Sequence, residues 1–384
     1  MLNKITDLIL FKDNHFYAAF PAVATLADGE VVAMFRRARD HRWLTHPQLL
    51  AGDPEFESVD HVDARSQLVL LRLGPDLAPL GEPEGLPVDP EAGDQDASLL
   101  VLNDGRLLAA GFGWYPLAAR HQAAARAAGI GLLGSPETTG CLYLFWGGYT
   151  RTSDDGGRSW TAHRYLPPLP GHGDLVPGRR PQHGGAVRGR PVQTSDGTIL
   201  LASYATVPGS GRYGAHLFAS TDRGASWRYR AQIAADPEGK AGYAEPALLL
   251  TADGRLIAFL RSFGLGDRLA TATSRDFGRS WDAVESHAVI GHPYDALPLP
   301  DGRALVVYGF RHKPYGIRAR LWRPDGPTPL AETEEFVIRN DGPSPDLGYP
   351  WATRLADGRI LVVYYFCDPH GVRHIAGSVL SITD

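Results

Sequence analysis

Cysteine and methionine are scarce in this chain of 384 residues, at two copies each. Cys141 and Cys367 lie far apart, and neither has a second Cys or a His at metal-ligand spacing. That excludes a disulfide framework and a zinc site of the usual kind, so both are expected as buried thiols and no metal or cofactor is implied. Long apolar runs are missing too. No stretch approaches the ~18 residues of a membrane-spanning helix. The N-terminus, Met1-Leu2-Asn3-Lys4-Ile5-Thr6-Asp7, lacks a basic region followed by an apolar stretch and a small-residue cleavage site. The expectation is a cytoplasmic protein, or a mature form whose leader has been removed, with no membrane partner. An excess of positive charge is also lacking. The formal net charge is −5, which gives no support to nucleic acid as a partner. Helical periodicity is confined to Leu117 to Ala128, which reads as a helical insertion around 115–132.

What is abundant is turn chemistry, with 44 glycines and 30 prolines. One phrase recurs six times: an apolar run, Asp-Gly, then a second apolar run. Its turn aspartates are Asp28, Asp104, Asp196, Asp253, Asp301 and Asp357. Asp-Gly between β-rich runs marks a hairpin, because glycine accepts positive φ at the turn. Six such hairpins predict an all-β fold, one six-bladed β-propeller over residues 1–384 with four-stranded antiparallel blades. A strand near His374 to Ile382 is expected to share its blade with an N-terminal strand near Ile5 to Phe11, closing the ring.

A second pattern, Ser-x-Asp-x-Gly-x-x-Trp, occurs at Ser153–Trp160, Ser220–Trp227 and Ser274–Trp281, each on the outer hairpin of its blade. Asp and Ser tie down the turn, Gly supplies the unusual φ, and Trp packs between strands. These segments resemble the Asp boxes, or BNR repeats, of the sialidase superfamily, and the resemblance covers essentially the whole chain. In that family they are scaffold, away from the catalytic face.

The six turns also serve as a ruler. Eight residues before each turn Asp stand Phe20, Asp96, Arg188, Glu245, Pro293 and Tyr349. Eight residues after stand Arg36, Phe112, Tyr204, Arg261, Gly309 and Tyr365. These positions are expected on one rim around the axis. The resemblance implies roles for several of them. Gly348-Tyr349 matches the family's nucleophilic Tyr at the head of the last blade. Glu245 matches the Glu that accepts its proton, and Arg261 follows it across a hairpin as one clamp for a substrate carboxylate. Arg311 fits a further clamp on strand parity, with Arg318 as the alternative. The family's first arginine is replaced by Ala19 in the string Ala18-Ala19-Phe20-Pro21, with Arg36 and Arg188 able to enter the same space. That replacement leaves sialic acid itself open and makes an acidic sugar the expectation.

The family's general acid is an Asp on the loop after the first hairpin. Asp63 is the choice here, with Asp60 and Asp40 behind it, and Asp96 is a second acid that could protonate or bind a hydroxyl. The implied activity is a sialidase-like exo-glycoside hydrolase acting on a terminal acidic sugar of a glycan. A polysaccharide lyase using His183 or His61 as base, or a non-catalytic glycan-binding propeller, would share the scaffold. The oligomeric state is open.

Overall fold

The computed structural model describes residues 1–39, 63, 65–127, 132–133, 141–171 and 184–383. Six antiparallel sheets form a six-bladed β-propeller. The innermost strands, in order, are Phe16–Thr25, Gly93–Val101, Val192–Gln193, Gly242–Leu250, Tyr294–Pro298 and Gly348–Arg354. Each meanders outward through its own blade. In the last blade the outermost strand is the N-terminal Leu2–Phe11, paired antiparallel with Arg373–Ile382 from Leu2↔Ile382 to Phe11↔Ile375. The two ends of the chain therefore close one sheet, as the ring-closing expectation required.

The six Asp-Gly segments all form the same turn. Their glycines, Gly29, Gly105, Gly197, Gly254, Gly302 and Gly358, have φ between 83° and 89°. Each turn Asp accepts from the amide two residues on, as Glu30 N–H does to Asp28 Oδ1 at 3.0 Å. The three Ser-x-Asp-x-Gly-x-x-Trp segments also share one geometry. Ser153 Oγ donates to Asp155 Oδ1 at 2.7 Å and accepts from Gly157 N at 2.8 Å, and the copies at Ser220 and Ser274 repeat this at 2.8 Å and 2.8 Å. Hydrogen bonds from Ser159, first among the causes, hold the Asp155 carboxyl well below the usual carboxylate range. Both kinds of turn sit at the same end of the blades. The opposite end carries the heads of the inner strands and the tails of the second strands.

The helix in blade two spans Ala119–Ala127, shorter than the sequence suggests. Residues up to Ala118 stay in the strand Leu107–Ala118, because its partner Cys141–Ser153 runs equally far, to the pair Ala118↔Cys141. Cys367 is buried at 2% exposure, its Sγ donating to the Asp368 carbonyl at 3.3 Å, as expected for a structural thiol.

Two arginines from the Val187-Arg188-Gly189-Arg190 segment tie blades together across the axis. Arg190 pairs bidentately with Asp295 of blade five, at 2.7 and 2.7 Å, and donates to the Ala352 carbonyl of blade six at 2.6 Å. Asp295 is 1% exposed and also accepts from Ala352 N at 2.9 Å. Gly189 between them has φ +122°, and a Cβ there would lie 2.2 Å from the Pro246 carbonyl oxygen, so the segment needs glycine.

Removing one partner of such a pair leaves a buried charge uncompensated. Asp295→Ala is expected to lower the unfolding free energy by about 3 kcal/mol, read from chemical denaturation. Gly105→Ala has open space around it but a left-handed φ of +85°, so its expected cost is about 1 kcal/mol. An unchanged denaturation midpoint for Gly105→Ala would contradict the turn geometry.

Candidate active site

The heads of four inner strands carry the same bulge. Register slips between Ala19 and Ala22, Gln95 and Ser98, Ala244 and Ala247, and Gly348 and Trp351. At each slip one non-glycine residue is left-handed: Phe20 at φ 56°, Asp96 at 49°, Glu245 at 50° and Tyr349 at 51°. These are four of the residues that stand eight before the turn Asp. Their cross-strand neighbours confirm the ruler. Ala19 pairs with Arg36, Gln95 with Phe112, Ala244 with Arg261 and Gly348 with Tyr365. A bulge bends the strand and re-aims a side chain, so the same device presents an acid, a second acid and a tyrosine around one axis.

Tyr349 and Glu245 meet across blades six and four. The Tyr349 hydroxyl donates to Glu245 Oε1 in a short hydrogen bond. Arg261 Nη1 donates to both Glu245 oxygens, at 3.2 and 3.2 Å, and lies 3.5 Å from the Tyr349 hydroxyl. Glu245 and Tyr349 are 4% and 5% exposed, whereas the Arg261 side chain is 20% exposed. Burial, and then the Glu245 charge, push the Tyr349 hydroxyl well above its ordinary range. The phenol is therefore neutral near pH 7 and is positioned to give its proton to Glu245.

Asp96 is 3% exposed, and burial pushes its carboxyl up to about 7 against the opposing charge of Arg188, with Glu245 adding to the rise. It keeps a proton at mildly acidic pH, where an ordinary carboxyl has lost it. Asp63 behaves in the opposite way. Its oxygens accept from Arg65 N at 2.7 Å, Arg65 Nε at 3.0 Å and Arg65 Nη2 at 2.9 Å. Burial works to raise the Asp63 carboxyl, but the hydrogen bonds and charge of Arg65 outweigh it and the net shift is downward. Asp40, Asp60, His61 and His183 lie outside the described residues.

The arginines separate into two groups. Arg261 and Arg311 border the tyrosine. Arg311 is centred 5.3 Å over the Tyr349 ring, with Nε on the Leu347 carbonyl at 3.0 Å and Nη2 on the Tyr365 hydroxyl at 2.9 Å. Arg36 is fully buried beneath them, 5.7 Å from the Tyr17 ring and 6.0 Å from the Phe20 ring, opposite Ala19 in the strand pair. An arginine at position 19 would compete for that space. Arg188, expected as a substrate ligand, is turned to the backbone instead. Its Nη1 donates to the carbonyls of Pro21 at 3.2 Å and Ala97 at 2.5 Å, and its Nη2 to those of Pro21 at 3.2 Å and Tyr349 at 3.0 Å. It binds the bulges of three blades together. Arg318 points away, bonding the Pro314 carbonyl at 3.2 Å and sitting 4.6 Å over Phe310.

Two further residues at the site carried no sequence signal of their own. Asp346 collects hydrogen bonds from Tyr17 and Tyr365. His292, 5% exposed, is pushed down to about 2 by burial and then by the charges of Arg261 and Arg311, so its ring is neutral. Tyr204, which the ruler had placed on the rim without a role, is raised by burial and by Glu245. Among the described residues no group of His, Cys, Asp and Glu is arranged to hold a metal ion.

Residues 135–362 match the BNR repeat-like domain family. No curated protein matches the chain significantly. A crystal structure of a protein of unknown function from Dyadobacter fermentans DSM 18053 is 36% identical over 100% of this chain and 99% of its own, with a TM-score of 0.88. The NanB sialidase from Streptococcus pneumoniae shares the fold at 14% identity and a TM-score of 0.63, over 99% of this chain and 71% of its own. The intramolecular trans-sialidase from Ruminococcus gnavus does so at 13% identity and a TM-score of 0.61, over 97% of both chains. The family match spans more than half of the chain, and the fold is shared with sialidases from end to end. This chain is a member of the BNR repeat-like domain family, and its β-propeller has the fold of the sialidases.

Proposed function

We propose that this protein is a retaining exo-glycoside hydrolase that releases a terminal acidic sugar from a glycan, with Tyr349 as nucleophile. The observation that carries the reading is the Tyr349–Glu245–Arg261 contact, joining blades four and six through a short hydrogen bond and an ion pair. A glycan-binding surface has no need of a buried tyrosine whose proton is already shared with a carboxylate. A neutral phenol also avoids the repulsion that a carboxylate nucleophile would meet from an anionic sugar, the arrangement by which sialidases depart from the two-carboxylate scheme.

In the first step Tyr349 Oη forms a bond to the anomeric carbon while its proton passes to Glu245. The bond from that carbon to the leaving oxygen breaks, and the leaving oxygen takes a proton from an acid. Asp96 suits this task better than Asp63, because Asp96 retains its proton up to about pH 7 and Arg65 holds Asp63 ionised. In the second step water attacks the anomeric carbon and gives its proton to the Asp96 carboxylate. The bond to Tyr349 breaks, and Oη recovers its proton from Glu245. Two displacements give net retention. Arg261 and Arg311 pair with the carboxylate of the sugar, as planar guanidinium groups do. The buried charge of Arg36 lies behind them.

The reading is tested on fluorogenic glycosides of sialic acid, related ulosonic acids, uronic acids and neutral sugars. Tyr349→Phe is expected to lower kcat for an acidic glycoside by about 10³-fold, or about 4 kcal/mol of barrier. Activity retained in this variant would remove Tyr349 as nucleophile, and an unsaturated uronate product would point to a lyase. Asp96 makes a separate prediction. Its folded pKa lies above the ordinary carboxyl value, so its ionisation costs stability as pH rises from about 4 towards about 7. Asp96→Asn is expected to match wild type in melting temperature near pH 4 and exceed it at pH 8. Its kcat should fall on the order of 10²-fold for sugar leaving groups and less for aryl ones. Equal losses for both would assign the proton to another group.

A further inference from the structure

The polar network behind Arg311 belongs to neither the nucleophile pair nor the blade scaffold. Its centre is Asp346, two residues before the glycine of Gly348-Tyr349 and 13% exposed at its side chain. Asp346 Oδ1 accepts from the Tyr365 hydroxyl at 2.8 Å and the Tyr17 hydroxyl at 3.1 Å. Oδ2 accepts from Tyr17 at 2.9 Å and from Arg373 Nε at 2.8 Å. Arg373 is itself fully buried and donates by Nη1 to the Gly371 carbonyl at 2.9 Å. The pattern has only one proton order. A carboxylate cannot donate, so Tyr365 must spend its single hydroxyl proton on Asp346. The Tyr365 oxygen is then left with lone pairs alone, and Arg311 Nη2 donates to them at 2.9 Å. With Arg311 Nε on the Leu347 carbonyl at 3.0 Å, the guanidinium is held at two points, 5.3 Å over the Tyr349 ring.

We propose that Asp346 is a positioning residue: acting through Tyr365, it fixes Arg311 in the orientation that receives the carboxylate of the sugar. The inference rests on the proposed glycosidase reading for the identity of that ligand. The chain of donors runs one way, from Arg311 to Tyr365 to Asp346, and ends on the negative charge that Arg373 balances. An Asn at 346 has nearly the same shape but presents an NH₂ on one side. One of Tyr17, Tyr365 and Arg373 then faces a donor, and Tyr365 is free to turn its proton towards Arg311. Arg311 pairs with the carboxylate in the ground state and the transition state alike, so its loss of order acts on binding and leaves the chemical step.

The test is a double-mutant cycle on the 4-methylumbelliferyl glycosides of N-acetylneuraminic acid and glucuronic acid. Asp346→Asn is expected to raise KM for the acidic glycoside that is turned over by tenfold or more and change kcat less than twofold. Tyr365→Phe should do the same, and the double variant should be no worse than either single one, because both break one chain. Losses that multiply in the double variant, or a fall in kcat with KM unchanged, would overturn the inference. A merely structural role would lower the melting temperature without this coupling. If Asp346→Asn fails to fold, Tyr365→Phe decides alone, by the KM shift. If the wild-type protein releases the fluorophore from neither of these nor from any other acidic glycoside of the panel, the glycosidase reading is what has failed. Crystal structures of the two variants then decide this inference: Arg311 swung away from the Tyr349 ring upholds it, and Arg311 in its wild-type place overturns it.

Discussion

Everything at the axis depends on the left-handed bulge at the heads of the inner strands. A β-strand alternates its side chains between faces, and on its own would send successive residues into the blade interfaces. In four of the six blades the bulge breaks that alternation and turns one side chain to the axis. Left-handed φ in a non-glycine residue costs of order 1 kcal/mol, and four such residues stand within one ring. The surroundings must over-determine them, and Arg188 is a large part of how. Its guanidinium holds carbonyls at or beside the bulges of blades one, two and six. Arg188, expected from the sequence as a substrate ligand, thereby keeps the bulge residues in place.

The charges follow from this geometry. Low exposure strengthens every interaction between the bulge residues and makes their protonation states differ. Tyr349 is kept neutral by burial and by Glu245, Glu245 is paired with Arg261, and Asp96 is pushed up to about 7. The proposed acceptor, Glu245, and the proposed donor, Asp96, thus sit in different surroundings, one against a guanidinium and one held up by burial. Asp63 lies close enough to feel Arg36, yet its dominant neighbour is Arg65. The hydrogen bonds of Arg65 favour its ionised form, which supports Asp96 over Asp63 as the proposed donor.

The architecture was legible because its signals are local and repeated. Asp-Gly turns and Ser-x-Asp-x-Gly-x-x-Trp turns are decided within a few residues, and six copies in phase fix the number of blades. Counting from those turns also located Asp96, Glu245, Tyr349, Arg261 and Tyr365, since strand register carries a local signal to the far end of the blade. What could not be counted was partnership between blades. That Arg188 meets carbonyls from three other blades, that Asp346 gathers Tyr17, Tyr365 and Arg373, and that Arg65 claims Asp63 are facts of tertiary packing. Parity favoured Arg311 over Arg318, and the packing agrees, since Phe310 and Glu335 hold the Arg318 guanidinium away from Tyr349. The helix in blade two was overextended because an apolar stretch ending at Ala118 suits strand and helix equally, and its partner strand decided the matter.

The central claim is that Tyr349 bonds to the sugar. It is tested most directly by incubating the protein with an acidic glycosyl fluoride that carries a second fluorine beside the anomeric carbon, which slows breakdown of a covalent intermediate. Peptide mass spectrometry then locates any adduct. The account predicts one glycosyl group per chain, on the peptide containing Tyr349 and absent from Tyr349→Phe. An adduct on Glu245 or Asp96, or turnover of the same sugar with inversion and no adduct, would contradict it.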